Sequence, residues 1–166
     1  MRWLVALISD TGMRLSEAAG LLKTDLVLDG DVPYVFIKPH SWRPLKTVSS
    51  QRKVPLVGAS YWAACRITEC TSSEFCFPRY ASKTKLKSNS ASAALNKWIK
   101  TIAGKDAVIH GFRHSVRDRL REVNAPTDLT DQVGGWALQS IGQGYGDGYK
   151  LEQLHEWLSK ISDQRI

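Results

Sequence analysis

The apolar positions of the chain change period several times, and each change marks an element. Residues 2 to 9 are apolar at most positions and predict a buried helix. Ser9-Asp10-Thr11-Gly12 interrupts that run with residues that favour helix starts. Leu15, Ala18, Ala19 and Leu22 then recur at helical spacing. Asp29-Gly30-Asp31 is a turn signal, and Val32 to Lys38, rich in Val, Tyr, Phe and Ile, predicts a strand. Leu45 to Leu56 predicts a second extended stretch, turning at Ser49-Ser50-Gln51 and leaving through Val54-Pro55-Leu56.

Helical periods dominate the rest. Ala59 to Thr68 predicts a helix with Trp62 and Ile67 in the core, and Phe75-Cys76-Phe77-Pro78 is an apolar knot ahead of a loop. Ser90 to Ile102 is amphipathic, with Ala94, Leu95, Trp98 and Ile102 expected inward and Gly104 as its stop. A helix carrying Arg113 is expected to reach Val123, where Asn124-Ala125-Pro126 breaks it. Thr127 to Gly134 predicts a short helix. Leu151 to Ile161 predicts a last one, striped by Leu151, Leu154, Leu158 and Ile161, to pack on its own domain or on a neighbouring one. The pattern is that of a mostly helical α+β domain with a small antiparallel sheet.

Composition changes this picture in one respect. The chain has 166 residues, 43% hydrophobic and 23% charged, which suits one globular domain with a real core. Lys plus Arg is 23 and Asp plus Glu is 16, a net charge of +7, and the pI is near 9.5. A polyanion, nucleic acid first, becomes a plausible partner, although many small basic proteins bind nothing acidic. Cys65, Cys70 and Cys76 form no CxxC pair and stand far from His40 and His155. They predict neither a zinc site nor a disulfide framework, and point to a reducing, cytoplasmic setting. No apolar run approaches membrane-span length, and Trp3 to Ile8 is too short for the core of an export signal.

Candidate chemistry concentrates between His110 and Tyr145. His110 and Arg113 are spaced to share one helix face, and the planar fork of an arginine suits two phosphate oxygens. Tyr145 lies in Gly142-Gln-Gly-Tyr-Gly-Asp-Gly-Tyr149, a composition suited to a tight or mobile loop. Other pieces are weak alone. Arg14 reads as a helix arginine paired with nearby Glu17. Lys46, on or beside a β-hairpin, reads as edge decoration. Lys83, Lys85 and Lys87, interleaved with hydroxyl and amide residues up to Ser88 and Ser90, read equally well as a solvated loop or a strip of phosphate contacts.

In order along the chain these pieces make a recognisable set. Thr11-Gly12-Met13-Arg14-Leu15-Ser16-Glu17 resembles the first arginine box of the tyrosine recombinase (phage integrase) family. Leu45-Lys46-Thr47, followed by Ser50-Gln-Arg52-Lys53-Val54-Pro55-Leu56, looks like that family's lysine hairpin. His110-Gly-Phe-Arg113-His114 resembles its His-x-x-Arg box, and Gly135-Trp136 followed nine positions later by Tyr145 matches its His-or-Trp position and nucleophile spacing.

The resemblance implies a catalytic domain over residues 1–166, without the separate N-terminal DNA-binding domain usual in the family. It implies that Tyr145 attacks phosphorus to form a 3′-phosphotyrosyl link, that Arg14 and Arg113 clamp the phosphate, and that Lys46 protonates the leaving 5′ oxygen. His110 would share in proton transfer, and Trp136 could donate a hydrogen bond but shuttle no proton. Such chemistry calls for no metal and no nucleotide cofactor, because the covalent link conserves the phosphodiester energy. The implied partner is double-stranded DNA, with a homotetramer on paired sites. Tyr149 stays open as an alternative nucleophile and Lys53 as an alternative acid, while His114 is expected to be structural or an outer hydrogen-bond partner. A catalytically silent DNA-binding remnant and a type IB topoisomerase-like enzyme are the rival functions.

Overall fold

The computed structural model describes residues 1–47, 50–136 and 148–162. In chain order they form α1 (Arg2–Thr11), α2 (Leu15–Ala19), a 3-10 turn (Lys23–Asp25), β1 (Leu26–Val27), β2 (Tyr34–Ile37), β3 (Arg52–Pro55), α3 (Gly58–Cys70), β4 (Ala81–Ser82), β5 (Lys85–Leu86), α4 (Ser88–Ala103), α5 (Gly111–Glu122), α6 (Thr127–Gly134) and α7 (Leu151–Ser162). The α+β class with a small antiparallel sheet is as expected: β1, β2 and β3 form one antiparallel sheet in that order, and β4 with β5 a two-stranded hairpin.

The centre is α1. Leu4, Leu7 and Ile8 are buried, and the helix packs against α3, α5 and α7. Each such side chain contributes about 1.5–3 kcal/mol of burial free energy. The expected break at Ser9-Asp10-Thr11 does not occur, and α1 runs through it. Ser9 Oγ and Thr11 Oγ1 bond back to the carbonyls of Ala6 and Leu7 at 2.9 and 2.6 Å, which satisfies both hydroxyls inside the helix. Gly12, left-handed at φ 62°, ends it instead. Asp10 does cap a helix, but a distant one: its Oδ2 accepts from the backbone N–H of Ala59 at 2.9 Å and of Ser60 at 3.3 Å, at the start of α3. Arg119 of α5 reaches the Asp10 carboxylate at 3.4 Å and the Ile161 carbonyl at 3.2 Å, which joins α1, α5 and α7.

Two helices present faces other than the expected ones. In α3 the inward face is Ser60, Ala63, Ala64 and Ile67, small residues that let the helix lie close on α1, while Trp62 is 45% exposed. In α4 the buried stripe is Ala91, Leu95 and Ile99, and Ile102 is 67% exposed. That helix starts two residues earlier than expected and packs on α2, so its apolar stripe is rotated relative to Ala94–Trp98–Ile102. The last helix meets its expectation: Leu154, Leu158 and Ile161 are buried. They pack against β3, α5, α1 and α3 of the same chain, so the stripe is used within its own domain.

The second extended stretch is much shorter than Leu45 to Leu56. Among its described residues only Arg52–Pro55 is strand, with Val54 opposite Val35 and Lys53 opposite Phe36. Upstream, Pro39 and Pro44 cannot donate to a ladder. His40 and Arg43 pair with each other instead, Trp42 Nε1 donates to the Gly20 carbonyl at 3.1 Å, and the Trp42 ring stacks on His40 at 4.6 Å. Lys46 therefore sits on the connection between β2 and β3, exposed, rather than within a strand.

Candidate active site

Three segments far apart in sequence meet at one place: the start of α2, the entry to β3, and the end of α6 beside the start of α5. Arg14 is the residue before the first turn of α2, and Glu17 in that turn reaches back to it. Glu17 Oε2 accepts the Arg14 backbone N–H at 2.8 Å, and Glu17 Oε1 takes the Arg14 guanidinium at 2.7 Å. The plain reading of Arg14, an arginine paired with a neighbouring carboxylate, thus holds, but the same guanidinium also donates to Ser50 Oγ at 3.2 Å and to the Gly135 carbonyl at 3.3 Å. One arginine therefore touches all three segments.

Arg113 lies on α5 and is 4% exposed. Its Nη1 donates to the Gly12 carbonyl at 2.6 Å, two residues before Arg14. Its Nη2 is buried and finds no hydrogen-bond partner among the described residues. A buried N–H of a charged group is costly to leave unmade, so Nη2 is available to an acceptor that enters here. Burial first, then the nearby Arg14 and Arg52 charges, bring the Arg113 guanidinium down to about 10, so it remains a cation at neutral pH. Arg14, Arg52 and Arg117 thus all act on Arg113, with Glu17 the compensating carboxylate that Arg113 also senses. Such a focus of positive charge suits a phosphate.

Trp136 completes the wall. Gly135 ends α6 in the left-handed region at φ 61°, and the Trp136 N–H returns to the Asp131 carbonyl at 3.0 Å. This fold-back lays the indole over Gly134, where an added Cβ would fall 1.8 Å from the ring, so only glycine fits. The guanidiniums of Arg113 and Arg117 stand 4.2 and 4.9 Å from the ring centroid. Arg117 is paired with Asp131 at 3.3 Å.

His110 precedes α5 and is exposed, and its ring packs edge-on against His114 at 4.9 Å. Burial, then the neighbouring His114, Arg113 and Arg14, lower its pKa below 6.5, so it is neutral at neutral pH. We expect NMR titration to place the His110 midpoint below 6.5, and Arg113→Met to raise it by removing one of the three positive neighbours.

The remaining expected residues fall into place unevenly. Arg14, Arg113, Trp136 and His110 come together. Lys46 lies four residues before Ser50, on the exposed β2–β3 connection. Lys53 faces away: β3 alternates, Arg52 and Val54 point inward, and the Lys53 ammonium rests 5.1 Å from the Tyr34 ring on the outer face. Tyr149 is tied down. Its hydroxyl donates to Asp128 at 3.0 Å and its backbone exchanges two hydrogen bonds with the Gln132 side chain, at 2.8 and 2.9 Å. Burial and the Asp128 carboxylate raise its pKa, the opposite of what a nucleophile needs. Tyr145 lies outside the described residues. Lys83, Lys85 and Lys87 are exposed on the β4–β5 hairpin and its exit, Ser88 opens α4, and Lys83 pairs loosely with Glu74 at 3.2 Å.

Two site residues had not been singled out as functional: Arg52 and Glu17. Arg52 Nη2 meets Glu17 Oε2 at 3.1 Å, with both side chains only 4% exposed. The signal for Arg52 was present. A two-residue period through Arg52-Lys53-Val54 puts the arginine on the same face as a core valine, where it must find partners.

Comparison with known proteins agrees with this geometry. The chain matches the phage integrase family over residues 1–151, and it belongs to that family. Solved structures of the integrase of transposon Tn1549 share the fold. One, in complex with transposon right end DNA, has a TM-score of 0.60 at 17% identity, covering 93% of this chain and 56% of that one. Another, in complex with a circular intermediate DNA, has a TM-score of 0.58 at 18% identity, covering 86% of this chain and 55% of that one. This chain therefore spans about half the length of those integrase chains. No curated protein matches it. Among the described residues, no helix is long and apolar enough to cross a membrane.

Proposed function

We propose that this chain is the catalytic domain of a site-specific DNA recombinase of a mobile element. It would cut and rejoin DNA strands through a covalent 3′-phosphotyrosyl intermediate. The observation that carries the reading is the buried, unpartnered Nη2 of Arg113 in a cluster of arginines that Glu17 balances only in part. Family membership and the DNA complexes of the Tn1549 integrase support it.

In this mechanism Arg14 and Arg113 hold the non-bridging oxygens of the scissile phosphate and stabilise the charge of the transition state. Tyr145 attacks phosphorus, and the P–O bond to the 5′ oxygen breaks. Lys46 gives that oxygen its proton. A tyrosine near its ordinary pKa of ~10 must pass its proton on as it attacks, and neutral His110 can accept it. Trp136 donates its indole N–H to the phosphate and shields the clamp from water. Religation reverses these steps with a new 5′ hydroxyl. The fall in His110 pKa has a sign: the neutral base persists to lower pH than an unperturbed histidine would allow, so the acid limb of the cleavage rate should lie at lower pH than that of an ordinary histidine, which single-turnover rates across pH 5 to 8 would check.

Lys83, Lys85, Lys87 and Ser88 would contact the phosphate backbone, and the partner would be double-stranded DNA bound as paired sites by a homotetramer. Replacing Lys83, Lys85 and Lys87 together by serine should lower affinity for every duplex alike. It should also flatten the slope of log affinity against log salt by about 2–3, since each phosphate contact contributes about 0.9. An unchanged slope would remove the hairpin from the interface. Two results would replace the recombinase reading. A duplex shift with no covalent product under any condition would make the chain a silent DNA-binding remnant. Supercoil relaxation by a monomer would make it topoisomerase-like.

A further inference from the structure

We propose that Arg52 is a positioning residue that locks Glu17 to the carbonyl end of α6 and so sets the places of Arg14 and Trp136. Its guanidinium is spent within the protein. Nε donates to the Val133 carbonyl at 2.7 Å, Nη1 to the Ser50 carbonyl at 2.7 Å, and Nη2 to Glu17 Oε2 at 3.1 Å. All three nitrogens are engaged, whereas Arg113 Nη2 has no partner among the described residues, so the two arginines divide the work between framework and ligand. A lysine could not replace it, because one ammonium cannot span three acceptors on three segments in a planar fork.

The consequence for Arg14 follows from the shared carboxylate. Glu17 Oε1 holds the Arg14 guanidinium and Oε2 holds both the Arg14 backbone N–H and Arg52. With Arg52 present, the Glu17 charge is divided between two cations. Without it the whole charge falls on Arg14, which is then drawn onto the carboxylate and away from an incoming phosphate. The consequence for Trp136 follows from Val133 and Gly135. A Cβ on Gly135 would lie 2.7 Å from Arg52 Nη1 and 3.1 Å from Nε, and the Gly135 carbonyl accepts from Arg14. The peptide of Gly135 is thus threaded between the two arginines, and the next residue is Trp136. The contacts bridge sequence separations of 35 and 81 residues, so the unit can hold three segments in register.

The test compares wild type with Arg52→Lys and with the double variant Glu17→Gln/Arg52→Met, which removes both members of the buried Glu17–Arg52 pair together. The first readout is the indole N–H resonance of Trp136 in 15N-labelled protein, assigned by its loss in Trp136→Phe. The second is the single-turnover rate of covalent capture of a nicked duplex; this one rests on the recombinase reading. We expect the Trp136 resonance to move in Arg52→Lys while those of Trp3, Trp62 and Trp98 stay. We expect the capture rate to fall by about 10- to 100-fold, the effect of displacing a catalytic group by about 1 Å. A Trp136 resonance unmoved in both variants, with capture within twofold of wild type, would overturn the proposal. Loss of folding in both variants would also overturn it, by making Arg52 purely structural. If wild type captures no duplex, the recombinase reading fails, and the Trp136 resonance alone still decides whether Arg52 positions this wall.

Discussion

Arg113→Lys should cut the rate of strand cleavage by about 10²–10³-fold, the usual loss when one preorganised donor to a developing oxyanion is removed. Arg113 performs three tasks with one planar group: Nη1 holds the Gly12 carbonyl at 2.6 Å, Nη2 waits buried without a partner, and its face lies 4.2 Å from the Trp136 ring centroid. A lysine keeps the charge but offers one strongly hydrated ammonium, which can serve Gly12 or a phosphate and not both. Its stem also stacks poorly on the indole. Because Gly12 immediately precedes Met13-Arg14, losing that bond should loosen the second arginine as well. The melting temperature should fall by only a few degrees, since the fold loses one hydrogen bond of about 1–3 kcal/mol. A cleavage rate within threefold of wild type, with the same melting temperature, would remove Arg113 from the clamp.

Glu17→Ala should destabilise the fold by about 3–5 kcal/mol, the cost of stripping the partner from a buried charge. Its oxygens bind Arg14 and Arg52, and Arg52 lies 4% exposed at the side chain with no water to turn to. For a chain of 166 residues this corresponds to a fall of roughly 6–20 °C in melting temperature. Adding Arg52→Met to Glu17→Gln should recover most of the loss, because two apolar or neutral groups in place of a buried pair are often tolerated. The pH dependence carries the same signature. Burial alone would raise the Glu17 carboxyl, but the Arg52 charge and hydrogen bond, with the backbone and side-chain hydrogen bonds of Arg14, hold it below the usual carboxylate value. Its folded pKa is depressed, so its stabilisation is present above the unfolded value of 4.5 and is lost as pH falls through the lower folded value. Glu17→Gln should therefore flatten the acid limb of the stability curve. Urea melts across pH 2 to 7 measure both effects, and an acid limb as steep as wild type would contradict the assignment.

The elements with strong periods were legible in the sequence. Thr127–Gly134 and the stripe Leu154–Leu158–Ile161 appear as expected, because a helix that buries one continuous face writes that face into its spacing. The errors have tertiary causes. Asp10 carries the chemistry of a helix cap, but the N–H it caps, that of Ala59, lies 49 residues later, which no local window shows. Trp62 looks like core by composition, yet Ala63 and Ala64 take the inward face because close packing on α1 needs small residues. The β3 strand is short because Trp42 and Arg43 turn inward, beside Gly20, instead of extending the hairpin. At the site, the ordered boxes named Arg14, His110, Arg113 and Trp136, and the structure brings them together. Arg52 and Glu17 escaped because their role is to hold other residues, and only three-dimensional proximity reveals it.

The most direct test of the central claim is covalent capture by Tyr145. The protein and its Tyr145→Phe variant would be incubated with a nicked suicide duplex from an attachment site, in EDTA, and resolved on a denaturing gel. Tyr149→Phe would be run alongside. A covalent band is expected for wild type and for Tyr149→Phe, and none for Tyr145→Phe. A band that survives in Tyr145→Phe, or one lost only in Tyr149→Phe, would contradict it.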